Sequence, residues 1–167
     1  MRMTASTLAL RLATVVAVAA FAASCGSDST GTTNKTYVAN LNAAAEGAGH
    51  TSPGSGTFIF EDIGSEIDWT LDLTNMTAVT MSHIHLGDAT AVGTTAGPVI
   101  INLFIPNRAT GGPLNGRIAQ GTITNNNNSQ VSLDSLRVLF NNGHAYANVH
   151  TTANPAGEIR DQIHPSN

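Results

Sequence analysis

The sequence predicts an all-β fold, an antiparallel Greek-key sandwich or barrel with one short helix. Apolar and polar residues alternate over residues 66–73, which is the pattern of a strand with one buried face. Short apolar runs recur between Gly, Asn and Pro residues at roughly ten-residue intervals, as is typical of sandwiches and barrels. Only 11% of the 167 residues are charged, and the abundance of Gly, Ala, Thr and Asn favours strands and turns over helices.

The clearest strand is the alternating segment, whose residues Ile67, Trp69, Leu71 and Leu73 are predicted to face the core. The apolar run at 57–61 precedes it across a short turn, so the two are predicted to form a hairpin. Six further strands are expected at 37–41, 79–85, 99–105, 117–124, 144–150 and 158–163. The run 99–105 is almost entirely apolar, so it is predicted to be a central strand.

One segment has helical periodicity. Four apolar residues recur at helical spacing over residues 133–140. Ser132 is a suitable N-cap before them, and the sequence Asn-Asn-Gly at 141–143 is typical of a helix end. A short helix is therefore predicted there.

The first 24 residues are typical of a signal peptide. Arg2 and Arg11 precede an uncharged run at 12–23, which ends in small residues and is shorter than the roughly 20 apolar residues of a spanning helix. The predicted domain organisation is a signal peptide at 1–24, a flexible tether at 25–35 and a folded domain at 36–167.

Cys25, the only cysteine, directly follows the small residues. The stretch 21–25 resembles the lipobox of bacterial lipoproteins, although Ala22 stands where a branched apolar residue is usual. The resemblance implies that Cys25 is lipid-modified and becomes the mature N-terminus, attached to a membrane. Plain secretion is the alternative, and both predict an exported protein of the bacterial cell envelope or its surroundings.

Charge and cysteine content exclude several classes of protein. Seven Lys and Arg residues against eleven Asp and Glu leave no basic surface for nucleic acid. A single cysteine can form neither an internal disulfide nor a thiolate metal site by itself. The sequence also lacks the G-x-S-x-G motif of a serine hydrolase, so no catalytic residue is assigned.

Three histidines are candidate metal ligands. His83 and His85 are separated by one residue, so on a strand both imidazoles point to the same face. His150 ends a run in which Ala147 and Val149 are expected to face the core, which leaves His150 on the other face. If the two strands adjoin, the three imidazoles could converge on Cu or Zn and leave one coordination position open.

The alternative is a hydrogen-bonded histidine network without metal. Val79 and Met81 share the parity of His83 and His85, so the histidine pair lies on an apolar face unless a β-bulge intervenes. Glu158 is the only nearby carboxylate candidate for a ligand. It is equally placed to form a salt bridge with Arg160, two residues on.

Four blocks of sequence resemble the signature of the CHRD domain, a family found in exported proteins. They lie at 83–87, 97–103, 143–151 and 154–160. The resemblance covers about residues 36–163, but Asp161 replaces a usual Gly and the loop at 88–96 is longer than common. It implies an extracellular β-rich domain without established catalysis. Our own interpretation of the residues is that Asn148, Glu158 and Arg160 join the three histidines in a buried polar network that holds strand ends together, and Tyr146 belongs to the same signature.

A looser resemblance is to copper–zinc superoxide dismutase, whose Greek-key barrel has an H-x-H pair on one strand and a later strand that ends in Val-His. Carried over to this sequence, it implies that His83, His85 and His150 are copper ligands. The zinc-site residues, the bridging imidazole and the paired cysteines have no match, so a shared fold is expected but not a shared activity. The fold class thus includes immunoglobulin-like and superoxide-dismutase-like arrangements.

Two functional hypotheses follow. The preferred one is an exported, lipid-anchored binding or structural module that contacts an extracellular protein or ligand, with no required cofactor and no catalysis. The alternative is a metalloprotein that holds Cu or Zn at His83, His85 and His150, for storage, sensing or redox chemistry.

Overall fold

Two antiparallel β-sheets and one α-helix make up the described part of the chain. The computed structural model describes residues 34–47, 49–89, 97–128 and 130–167. The predicted signal peptide, Cys25 and nearly all of the predicted tether lie outside these residues. Within the described residues, no helix has the length and apolar content needed to cross a bilayer.

The strands follow the sequence prediction closely. They are β1 (Lys35–Leu41), β2 (Ser55–Asp62), β3 (Ile67–Met76), β4 (Val79–Leu86), β5 (Val99–Phe104), β6 (Leu114–Ile123), β7 (Ala145–Thr151), β8 (Ile159–Gln162) and β9 (His164–Pro165). The eight predicted strands are confirmed, and β9 is an addition that the sequence analysis did not predict. A 3₁₀ segment at Ala43–Glu46 was not predicted either.

The five-stranded sheet has the order β6-β3-β2-β1-β9, and the four-stranded sheet has the order β5-β4-β7-β8. The first three strands form a meander, and β9, the last strand, pairs with β1 at its other edge. The predicted all-β sandwich is therefore confirmed.

The core lies between the inner faces of the two sheets. The alternating residues of β3 are buried as predicted, and Phe58 and Phe60 of β2 pack beside them with ring centroids 5.5 Å apart. Ile84 of β4 and Val149 of β7 face this core from the other sheet. Burial of these large apolar side chains supplies the main driving force for folding.

The helix α1 (Leu133–Asn142) has the ends that the sequence predicts. The Ser132 hydroxyl accepts a hydrogen bond from the Ser135 amide, and Gly143 adopts the left-handed conformation that favours glycine. Phe140 of α1 contacts Tyr37 and Phe60, with both centroid distances at 5.2 Å. The helix is thereby attached to the five-stranded sheet.

A β-bulge in β4 decides which way its histidines face. The pairing of β4 with β7 shifts between Val79 and Met81, so Val79 lies in the core while Met81 does not. Ile84 then points into the core, and His83 and His85 point to the outer face of the four-stranded sheet. The β-bulge that the sequence analysis named as the exception is therefore present, and its extra residue reverses the alternation, so the histidine pair does not share the core face of Val79.

Candidate metal centre

The outer face of the four-stranded sheet carries the predicted site residues. On β7, Ala147 and Val149 face the core, so Tyr146, Asn148 and His150 face outward. In the pairing of the two strands, His83 lies opposite Asn148 and His85 lies opposite Tyr146. The alternation of adjacent antiparallel strands therefore places all of these side chains on one surface.

The structure brings His83, His85 and His150 together, and we call these three residues the histidine cluster. One ring nitrogen from each lies within 4.8 Å of those from the other two. The His83 Nδ1 atom lies 3.2 Å from the His150 Nε2 atom. Two nitrogens that bind one tetrahedral Zn²⁺ at about 2.0–2.1 Å lie about 3.3 Å apart, so this spacing fits a shared ion.

Backbone carbonyls orient two of the three rings. The His85 Nδ1 atom lies 2.7 Å from the Gly97 oxygen, and the His150 Nδ1 atom lies 3.0 Å from the Pro155 oxygen. Because a carbonyl only accepts hydrogen bonds, both Nδ1 atoms donate, and in the neutral rings both Nε2 atoms carry a lone pair. Metal-binding histidines commonly use this arrangement.

The histidine cluster is buried and electrically neutral near pH 7. His83, His85 and His150 are 7%, 5% and 7% exposed. Burial lowers the pKa of all three imidazoles, and the neighbouring His150 and His85 help to lower the pKa of His83 to about 4. The neutral imidazole is the form that binds metal, so an ion displaces no proton from these lone pairs.

The 3₁₀ segment covers the outer face through Arg160 of β8. The Arg160 Nε atom donates to the Ala45 carbonyl at 2.7 Å, and its Nη1 atom lies 3.6 Å from a Glu46 carboxylate oxygen. The guanidinium also lies 5.5 Å from the centre of the Tyr146 ring, which stacks on His85 with centroids 4.9 Å apart. This layer keeps water away from the histidine cluster.

The sequence analysis did not identify Ala45 or Glu46 as part of this layer, because nothing in their local sequence pattern relates them to Arg160. The structure pairs Arg160 with Glu46 and not with Glu158, so the predicted salt bridge between Glu158 and Arg160 is wrong. Burial raises the pKa of Glu46, and the Arg160 charge opposes this effect.

Glu158 stabilises the loop after β7. Its carboxylate accepts hydrogen bonds from Ser52, Thr151 and Asn154. Burial alone would raise the pKa of Glu158, but these three hydrogen bonds outweigh it and lower the pKa. Glu158 lies outside the histidine cluster and holds the loop that presents the Pro155 carbonyl to His150.

Comparison with known proteins identifies a family. A family model described as CHRD domain matches residues 37–163, which is well over half of the chain and spans both sheets. This confirms the resemblance found in the four sequence blocks. No match was found among curated proteins or among solved structures.

Proposed function

Because the chain belongs to the CHRD domain family, we propose that it is an exported, lipid-anchored binding module of the bacterial cell envelope that holds a copper or zinc ion. Family membership supports a structural or binding role. The export and anchoring rest on the signal-peptide pattern at 1–24 and on the position of Cys25.

The convergence of His83, His85 and His150 is the observation that supports metal binding. Three neutral imidazoles form a donor set that suits both Cu and Zn. Two of the rings are held by backbone carbonyls, so little reorganisation is needed when an ion binds. We therefore rank the metalloprotein above a network without metal.

The network without metal remains the competing function, and the contact between His83 and His150 favours it. The His83 Nδ1 atom at 3.2 Å can donate to the His150 Nε2 lone pair when no ion is bound. In that case the cluster only joins β4 to β7, and the module binds its partner elsewhere. The two functions differ in whether the purified protein retains an ion.

The test is elemental analysis of the mature chain after incubation with Cu(II) or Zn(II) and desalting. The protein carries no His tag and has Cys25→Ser, so that no thiolate competes for copper. We expect about one ion per chain, loss of the ion in His83→Ala and His150→Ala, and retention in the control His144→Gln, which changes an exposed histidine.

Melting temperature provides the second measurement. An ion that binds only the folded state at 100 times its dissociation constant adds about 2.7 kcal/mol of stability. We expect Zn(II) to raise the melting temperature of the wild type and of His144→Gln, but not of His83→Ala. A wild-type protein that retains no ion and does not respond to Zn(II) would be a network without metal.

A further inference from the structure

Asn148 occupies the middle of the surface that carries the histidine cluster. It lies opposite His83 on β4 and opposite Arg160 on β8. Along β7 it lies between Tyr146 and His150, which face the same way. Asn148 is only 2% exposed, which is unusual for an amide side chain.

The Asn148 Oδ1 atom has no hydrogen-bond partner among the described residues, although it is buried. Folded proteins rarely leave a buried polar atom unpaired without a bound water or ion beside it. The His85 Nε2 atom is unpaired in the same way. Two unpaired acceptors in one buried region therefore require an explanation.

These two atoms cannot satisfy each other. Asn148 lies beside His85, because it is the next outward-facing residue of β7 after Tyr146, which pairs with His85. Burial lowers the pKa of His85 and, in agreement with this placement, the Asn148 side chain acts to raise it. The His85 Nδ1 atom donates to Gly97, so its Nε2 atom is an acceptor, as is the amide oxygen. A half-turn of the amide would let its Nδ2 group donate to the His85 Nε2 atom, whereas a cation would bind both lone pairs where they stand.

We propose that Asn148 completes the metal site as its fourth donor through Oδ1, together with His83, His85 and His150. This inference rests on the proposed metal binding and adds a ligand to it. An amide oxygen is a hard donor, so the complete set favours Zn(II) or Cu(II) over Cu(I). A site with four protein ligands has no open position, as in structural zinc sites, and this makes the ion part of the fold.

The test is a competition titration with Zn(II) and a chromophoric chelator, on the mature chain with Cys25→Ser. We expect Asn148→Leu to weaken Zn(II) binding at least tenfold, because it removes one of four donors. We expect Asn148→Asp, which keeps the shape and adds a charged oxygen, to bind at least as tightly as the wild type. The control Thr70→Val removes a different unpaired polar atom, a hydroxyl on the five-stranded sheet, and should leave the affinity unchanged.

Azide binding to the Co(II)-loaded protein tests whether the site is closed. We expect azide to leave the visible spectrum of the wild type unchanged and to alter that of Asn148→Ala, where the fourth position is open. A wild type that binds metal but responds to azide, or an Asn148→Leu protein that binds Zn(II) as tightly as the wild type, would overturn the role of Asn148. A wild type that binds no metal overturns the metal site itself.

Discussion

His83 has the environment that most disfavours protonation among the described histidines. Burial, together with the nearby His150 and His85, lowers its pKa to about 4. In the unfolded chain the same imidazole has a pKa of about 6.5. Between these two values the unfolded chain binds a proton that the folded protein does not accept.

This difference predicts that the metal-free protein loses stability in mild acid. The contribution of His83 is fully present above pH 6.5 and is lost as the pH falls toward 4. The difference between 6.5 and about 4, at about 1.4 kcal/mol per pH unit, amounts to about 3 kcal/mol. His85 and His150 act in the same direction, because burial lowers the pKa of each.

Urea unfolding in the presence of a chelator, at several pH values between 7 and 4.5, measures this loss. We expect a shallower dependence on pH in His83→Gln than in the wild type. The exposed His144→Gln is the matched control and should follow the wild type. A wild-type free energy of unfolding that stays constant from pH 6.5 to 5 would contradict the prediction.

Individual residues differ in how well their sequence reveals their role. The separation of His83 from His85 predicted that the two imidazoles share a face, and the alternation along β7 predicted that Asn148 and His150 face outward. Only the β-bulge in β4 shows that the histidine pair faces outward as well. The carbonyls of Gly97 and Pro155 that orient the rings are backbone groups, so no side chain in the sequence indicates their role. Their positions depend on loops whose course only the folded chain defines.

At the scale of elements, the attachment of α1 depends on a partly buried ion pair as well as on apolar packing. The Arg137 Nε and Nη2 atoms donate to the two carboxylate oxygens of Asp62, at 2.7 and 2.9 Å. The hydrogen bond from Arg137 lowers the pKa of Asp62, and this effect outweighs burial, which acts to raise the pKa. Asp62 ends β2, so this pair joins the helix to the five-stranded sheet.

We expect Arg137→Met to lower the free energy of unfolding by about 2 kcal/mol, because it keeps the apolar stem and leaves the Asp62 carboxylate without its partner. Chemical denaturation at pH 7 measures this loss.

Arg117→Met is the matched control, because Arg117 pairs with Asp72 in the same sheet but the two side chains are 48% and 38% exposed. Exposed pairs contribute about 0–1 kcal/mol. Equal losses in the two variants would show that the partly buried pair has no special role.

The periodicity of the sequence determined most elements, but not the bulge in β4. Strands and α1 were predictable because one face of each is buried, and this forces a repeat of two or 3.6 residues. The shift between Val79 and Met81 breaks that repeat without any Gly or Pro to mark it. The short β9 also escaped prediction, because two residues are too few to show alternation.

At the scale of the whole molecule, the described chain uses the two faces of its four-stranded sheet differently. The inner face packs against the five-stranded sheet in an ordinary apolar core. The outer face carries polar side chains that are nevertheless buried, because the 3₁₀ segment lies over them and is joined to β8 by backbone hydrogen bonds between Asn42 and Arg160. A bound ion would be coordinated by the lone pairs in this second, polar core.

The proposed location of the molecule depends on Cys25. We expect the full-length chain, expressed in a bacterial host, to incorporate labelled palmitate and to partition into a detergent phase, because two or more acyl chains anchor a protein stably. Cys25→Ser should lose the label and enter the soluble fraction. Ala22→Leu, which restores the usual lipobox residue, is the control and should retain at least the wild-type label. An unlabelled wild type outside the cytoplasm would indicate plain secretion, whereas a wild type with an uncleaved N-terminus in the cytoplasm would contradict export.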